Sequence, residues 1–233
     1  MPQPDGDERM LTEDHVDAFV TRYLKDGHVL AVGTNQLGEL FLKKAGLWCE
    51  QNQWTISIIP TSTSQIQTAK EFHLPLTTLN EREVDVAIEF ATKGDYDYNF
   101  LKRYSNSLIR DKMIAQSAGE LIVVLPATDY GEKLSGVVPF EISSFGWRRT
   151  LLLLEQIGKV NHAQYANEPP KTESGHYLVE AEIDDQLLPE EIDAQARLIP
   201  GVLETGLFIG SADRFLLVGE QEIAVKSRMD FDK

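Results

Sequence analysis

Two hydrophobic rhythms alternate along the first half of the chain. After Thr12, a favourable helix cap followed by Glu13 and Asp14, the apolar residues Val16, Phe19, Val20, Tyr23 and Leu24 keep to one helix face, and Gly27 ends the run. His28 to Val32 then reads as a short buried strand, followed by Gly33-Thr34 and a helix carrying Leu37, Leu40 and Phe41. The exchange repeats, with strands predicted over Trp54–Ile59, Leu74–Thr78, Val84–Ala91 and Leu121–Leu125, and helices over Ser64–Phe72 and Ser107–Ala118. Strands and helices at this spacing imply an α/β fold, a parallel sheet with helices on both faces.

Near Gly136 the order changes. Val137–Ile142 reads as strand, Phe145–Ile157 as helix, and Asn161–Gly175 as a polar connection. His176–Ile183 follows as strand, Pro189–Leu198 as helix and Gly201–Phe208 as strand. Such a run suggests a small α+β domain inserted before the chain returns to the first. The expected division is a mobile polar tail over 1–11, a core domain of 12–133 plus 206–233, and a small domain over 134–205.

Composition narrows the function. The 233 residues carry 37 acidic against 22 basic side chains, a net charge of −15, which disfavours nucleic acid and anionic membrane surfaces as partners. A small phosphorylated ligand stays compatible, since a local cluster of amides and cations acts against a distant, screened field. The single cysteine, Cys49, permits no disulfide within the chain and fits a reducing, cytoplasmic setting. No segment approaches the ~18 consecutive apolar residues of a membrane span. The five histidines are scattered without metal-ligand spacing, and no dinucleotide fingerprint, Walker A sequence or Gly-X-Ser-X-Gly elbow occurs.

Two blocks carry a family resemblance. Leu101-Lys102-Arg103-Tyr104-Ser105-Asn106-Ser107-Leu108-Ile109-Arg110-Asp111-Lys112 is similar to an Ile-Lys, glycine run, Leu-X-Arg-Glu-Lys motif. Ile199-Pro200-Gly201-Val202-Leu203-Glu204-Thr205-Gly206-Leu207-Phe208 is similar to Pro-Gly-Val-Val-X-X-Gly-Leu-Phe. Both motifs belong to type A ribose-5-phosphate isomerase, and with weaker echoes at Ala31–Thr34 and Gly175–Val179 the likeness covers most of the chain. The resemblance implies a Rossmann-like parallel-sheet core with a smaller ferredoxin-like α+β domain, a homodimer or larger homo-oligomer, and a pentose phosphate as substrate. It implies aldose–ketose isomerisation by carboxylates and a lysine, with no metal or organic cofactor.

Carried over residue by residue, Lys102 matches the family's lysine, and Asp111 stands nine positions on, where the family places its glutamate base. Arg110-Asp111-Lys112 reads equally well as the solvated first turn of a helix. The family's Asp-Gly-Ala-Asp-Glu motif aligns with Glu89-Phe90-Ala91-Thr92-Lys93, so Glu89 keeps an acid and Thr92 loses one. The phosphate loop is reduced to Gly33 and Thr34 before Asn35-Gln36-Leu37, and a hydroxyl cluster persists at Thr61, Ser62 and Thr63. Arg103, in place of the first glycine of the run, offers a guanidinium to a phosphate. Glycines there would permit positive φ and close approach, so Arg103-Tyr104-Ser105-Asn106 is expected to follow another path as a polar surface loop. The expectation is therefore a sugar-phosphate site with isomerase activity weak or lost. The alternative is a fully active isomerase using Asp111, Lys102 and Glu89.

Overall fold

The computed structural model describes residues 13–34, 36–131, 133–183, 186–219 and 223–228; the expected tail at 1–11 lies outside them. Helix α1 (Glu13–Tyr23) packs the apolar face read from the sequence, with Val16, Phe19 and Val20 buried. There follow β1 (Val29–Val32), α2 (Gln36–Asn52), β2 (Ser57–Ile59), α3 (Thr63–Glu71) and β3 (Val84–Phe90). Two short strands, β4 (Lys93–Gly94) and β5 (Phe100–Leu101), lead to α4 (Leu108–Ser117) and β6 (Ala118–Pro126). The middle of the chain forms β7 (Gly136–Ile142), α5 (Trp147–Leu154), β8 (Lys159–Val160), β9 (Tyr177–Ile183), α6 (Pro189–Arg197) and β10 (Val202–Thr205). The chain ends in β11 (Leu207–Phe208), β12 (Arg214–Val218) and β13 (Ile223–Ser227).

The largest sheet runs β13-β12-β6-β3-β1-β2, parallel from β2 to β12, with β13 added antiparallel at one edge. Its strands are nearly continuous runs of valine, isoleucine, leucine and alanine, because both faces are covered. This is a Rossmann-like α/β core. A second, antiparallel sheet runs β10-β7-β9-β8, and its β-α-β-β-α-β chain order with the fourth strand beside the first is ferredoxin-like.

Two sequence expectations change. Leu74–Thr78 is not a strand: only Leu76 bridges, to Ile58, because Pro75 has no N–H to extend the ladder. Gly201–Phe208 is not one strand but two, divided at Gly206 between the antiparallel sheet and a small three-stranded sheet of β11, β5 and β4. Gly206 donates to Pro139 O and accepts from Lys102 N, each at 2.8 Å. A Cβ there would sit 2.6 Å from Lys102 O and collide with the Pro139 ring, so only glycine fits where the chain crosses between sheets.

Candidate active site

At the C-terminal ends of β1 and β3, where open α/β sheets gather ligand chemistry, three charged side chains meet. Glu89, near the end of β3, Lys102, just after β5, and Asp111, in the first turn of α4, are each 0% exposed. Lys102 Nζ lies 2.5 Å from Glu89 Oε2 and 2.5 Å from Asp111 Oδ2. The sequence alone left Asp111 open as a solvated helix residue; the fold turns it inward. Gly33 lies directly over the cluster. A Cβ at that position would collide with the Glu89 carboxylate and stand 2.6 Å from Lys102 Nζ.

Asp111 is closely held. Its carboxylate accepts from Thr34 N and Thr34 Oγ1, both at 2.9 Å, and from Ser105 Oγ at 2.6 Å, in addition to the lysine. The Thr34 hydroxyl also accepts from Asn106 N at 3.0 Å, tying the loop after Lys102 to the turn after β1. Glu89 is the opposite case: its Oε1 is buried with no hydrogen-bond partner.

One buried cation faces two buried carboxyl groups, so one of the acids is driven to keep its proton. Burial pulls the Lys102 ammonium down, but the charges of Asp111 and Glu89, with the hydrogen bonds to both, hold it above its usual value. Burial pushes Glu89 up to about 8; Asp111 adds to the rise, and Lys102 and the Phe90 amide oppose it. A carboxyl raised in the folded state binds its proton more tightly there than in the unfolded chain. Its contribution to stability is therefore complete below the ordinary value of 4.5 and is lost as pH climbs toward 8. The slope from one such group is at most about 1.4 kcal/mol per pH unit. Glu89→Gln, the shape of the protonated acid, will match the parent in urea unfolding near pH 4 and grow relatively more stable from there up to pH 8. Parallel stability curves for parent and variant would refute the raised acid.

The remaining sequence-selected residues divide. Gly33 and Thr34 belong to the cluster. Thr61 serves as a staple, its hydroxyl donating to Val32 O at 2.9 Å, while Ser62 caps α3 by accepting from Gln65 N at 3.2 Å. Thr63 is exposed, and its amide donates to the Glu173 carboxylate at 3.0 and 3.1 Å; Arg110 Nη1 reaches the same carboxylate at 3.0 Å. Thr92 Oγ1 accepts from Arg103 N at 3.3 Å. Arg103 turns away from the expected phosphate role: Glu180 of β9, a half-buried carboxylate, holds its guanidinium at 3.2 Å.

The loop Arg103-Tyr104-Ser105-Asn106 differs from the expected surface loop. None of the four residues takes positive φ, and Ser105 is buried against Asp111. Ser105 and Glu173 were not singled out by sequence reasoning. The first was legible as a hydroxyl inside the altered glycine run; the second stood in an unpatterned polar connection with no local signal. Glu141 of β7 was also missed. This fully buried carboxylate accepts from Ile109 N at 3.0 Å at the start of α4 and pairs with His176 Nδ1 at 2.9 Å. A negative charge there suits the helix dipole and fixes the turn that carries Asp111. Among the described residues no group of three or more His, Cys, Asp or Glu could hold a metal ion, and no helix is long and apolar enough to cross a membrane.

The family model for ribose 5-phosphate isomerase A (phosphoriboisomerase A) matches residues 57–222. The chain belongs to this family. Ribose-5-phosphate isomerase A 1 of Oceanobacillus iheyensis is 29% identical over 202 residues, covering 85% of this chain and 90% of the relative. Ribose-5-phosphate isomerase A of Gloeobacter violaceus is 30% identical over 209 residues, covering 87% and 90%. Among solved structures, ribose 5-phosphate isomerase A from Methanocaldococcus jannaschii superposes with a TM-score of 0.81 at 22% identity, over 96% of this chain and all of that one. A D-ribose-5-phosphate isomerase in complex with phospho-erythronic acid gives 0.83 at 23% identity, over 95% and 99%. The ribose 5-phosphate isomerase A fold is thus shared across both sheets.

Proposed function

We propose that this member of the ribose 5-phosphate isomerase A family keeps a pentose-phosphate site in which aldose–ketose isomerisation is weak or lost. One observation carries the reading: Glu89, Lys102 and Asp111 are assembled but closed on one another, with no exposed surface. A proton acceptor must have a lone pair within reach of the substrate proton, and Asp111, in the family's base position, has both oxygens engaged by Thr34 and Ser105. Thr92 supplies no second carboxylate, and the Thr61–Thr63 hydroxyls are committed to internal contacts. The ligand class is supported by the phospho-erythronic acid held by a structural relative.

The two sheets fit a division into a core of 12–133 plus 206–233 and a small domain of 134–205. The family resemblance favours a homodimer or larger homo-oligomer, and the single cysteine and strong acidity suit the cytoplasm. A coupled assay for ribulose 5-phosphate tests the reading. Turnover will be absent or at least about a thousandfold below an ordinary enzyme's median of roughly ten per second, while ribose 5-phosphate raises the melting temperature. Turnover of roughly ten per second or more restores the alternative, a fully active isomerase using Asp111, Lys102 and Glu89.

A further inference from the structure

Glu89, Lys102 and Asp111 have no exposed surface, so a ligand reaches them only after some packed element has moved aside. Asp111 rides on the first turn of α4, and the small domain holds that turn from outside. Glu141 accepts from Ser107 Oγ at 3.3 Å and from Ile109 N at 3.0 Å, and pairs with His176 Nδ1 at 2.9 Å. Glu173 takes Arg110 Nη1 at 3.0 Å, together with Thr63 N and Thr63 Oγ1 of α3. Two of these three grips, Glu173 and His176, come from one short turn, Thr172–His176. Resting on the pentose-phosphate reading above, we propose that this turn is a latch: it keeps the starts of α3 and α4 closed around the buried cluster, and its release is the motion that admits a ligand.

The turn is built to move as a unit. Lys171 bridges Tyr177, Thr172 N donates to His176 O at 2.8 Å, and Gly175 N donates to Thr172 O at 2.9 Å. Gly175 takes φ +81°, the left-handed value that closes such a turn. Among the described residues, the backbone–backbone bonds of 172–176 all stay within this hairpin, and only its side chains reach the core. The Glu173 and Arg110 side chains are each 34% exposed, and a solvated pair of that kind contributes little net stability. It opens without unfolding the sheets behind it. The consequence of opening passes inward. Arg110 Nη1 also donates to Thr61 O at 2.8 Å, the Thr61 hydroxyl donates to Val32 O at 2.9 Å, and Gln65 Nε2 reaches Gly33 O at 3.2 Å. Gly33 is the residue that lies directly over the cluster. Such a latch makes the ligand-competent state a minor one, so affinity is lowered by the fraction that is open.

Amide hydrogen exchange by NMR on the full chain, Glu173→Ala against the parent, tests the latch without requiring turnover. Exchange at Thr34, Asn106 and Ile109, whose amides bond across the closed site, should rise roughly fivefold, the scale of one lost surface pair. The amides of Ile88 and Ile122, in the middle of the large sheet, should keep their parent rates. Glu173→Gln keeps the shape and drops the charge, and should give the same pattern in smaller measure. Ribose 5-phosphate, titrated calorimetrically, should bind Glu173→Ala more tightly by a similar factor. Unchanged exchange, or faster exchange confined to Thr63 and the turn itself, overturns the proposal, because Glu173 is then a tether on α3 alone. So does a uniform rise that includes Ile88 and Ile122, or binding that is measurable but equal or weaker in the variant. No binding by either protein, with the exchange pattern as expected, leaves the latch standing and overturns the pentose-phosphate reading instead.

Discussion

Lys102→Met will destabilise the protein by roughly 3–5 kcal/mol near pH 8, the usual effect of breaking a buried ion pair from one side. The substitution keeps most of the volume but leaves Glu89 and Asp111 facing each other without a cation, both with no solvent exposure. The cell of protein around them cannot hold two bare carboxylates, so Glu89, the acid already pushed upward by burial, must keep its proton in the folded state. That protonation is easy at low pH and unfavourable at high pH, which fixes the sign: the loss shrinks as pH falls toward 5. Urea unfolding of parent and variant at pH 5 and pH 8 reads it directly. An equal loss at both values would mean that the lysine acts through packing rather than through charge.

The second large effect is steric. Gly33→Ala places a methyl group against the Glu89 carboxylate, 2.7 Å from Glu89 Cδ and 2.6 Å from Lys102 Nζ. Neither neighbour is a loose side-chain end, because each is pinned by the other and by burial. The backbone at Gly33 is not in the left-handed region, so the substitution is opposed by crowding alone. Overpacking of this kind costs about 1–3 kcal/mol, and the cluster will lose its geometry as well. Glu89→Ala should relieve it, so the double variant Gly33→Ala/Glu89→Ala will be clearly more stable than the two single losses added together. Strict additivity in that cycle would place the strain elsewhere.

Much of the fold was legible because its signals are local and periodic. The face of Val16, Phe19 and Val20 required only a 3.6-residue rhythm, the burial of β1 only an unbroken apolar run, and that of β3 the apolar stretch Val86-Ala87-Ile88 between its two acids. What escaped depends on partners distant in sequence. β4, β5, β8 and β11 are two residues long and exist only as rungs beside other strands. The break at Gly206 follows from the Pro139 ring and the Lys102 carbonyl, neither of which its own neighbours announce. In the site, motif spacing led to Lys102, Asp111 and Glu89, and the structure brings them together. It could not reveal that Glu180 draws Arg103 aside, that Glu173 sits on Thr63, or that Ser105 turns inward. Those are choices between competing partners, and a sequence names the candidates without ranking them.

The seam at Gly206 also sets an order of events during synthesis. Lys102 takes its backbone partner from a residue about a hundred positions later, a separation that makes such pairings slow to close. A chain emerging from the ribosome can therefore build β1, β2 and β3 with their helices well before the lysine is fixed, and β6 waits longer still for β12 to cover its edge. The charged cluster is completed only when the last third of the chain has been made. A nascent or truncated protein lacking that part carries the right residues with nothing to hold them in register.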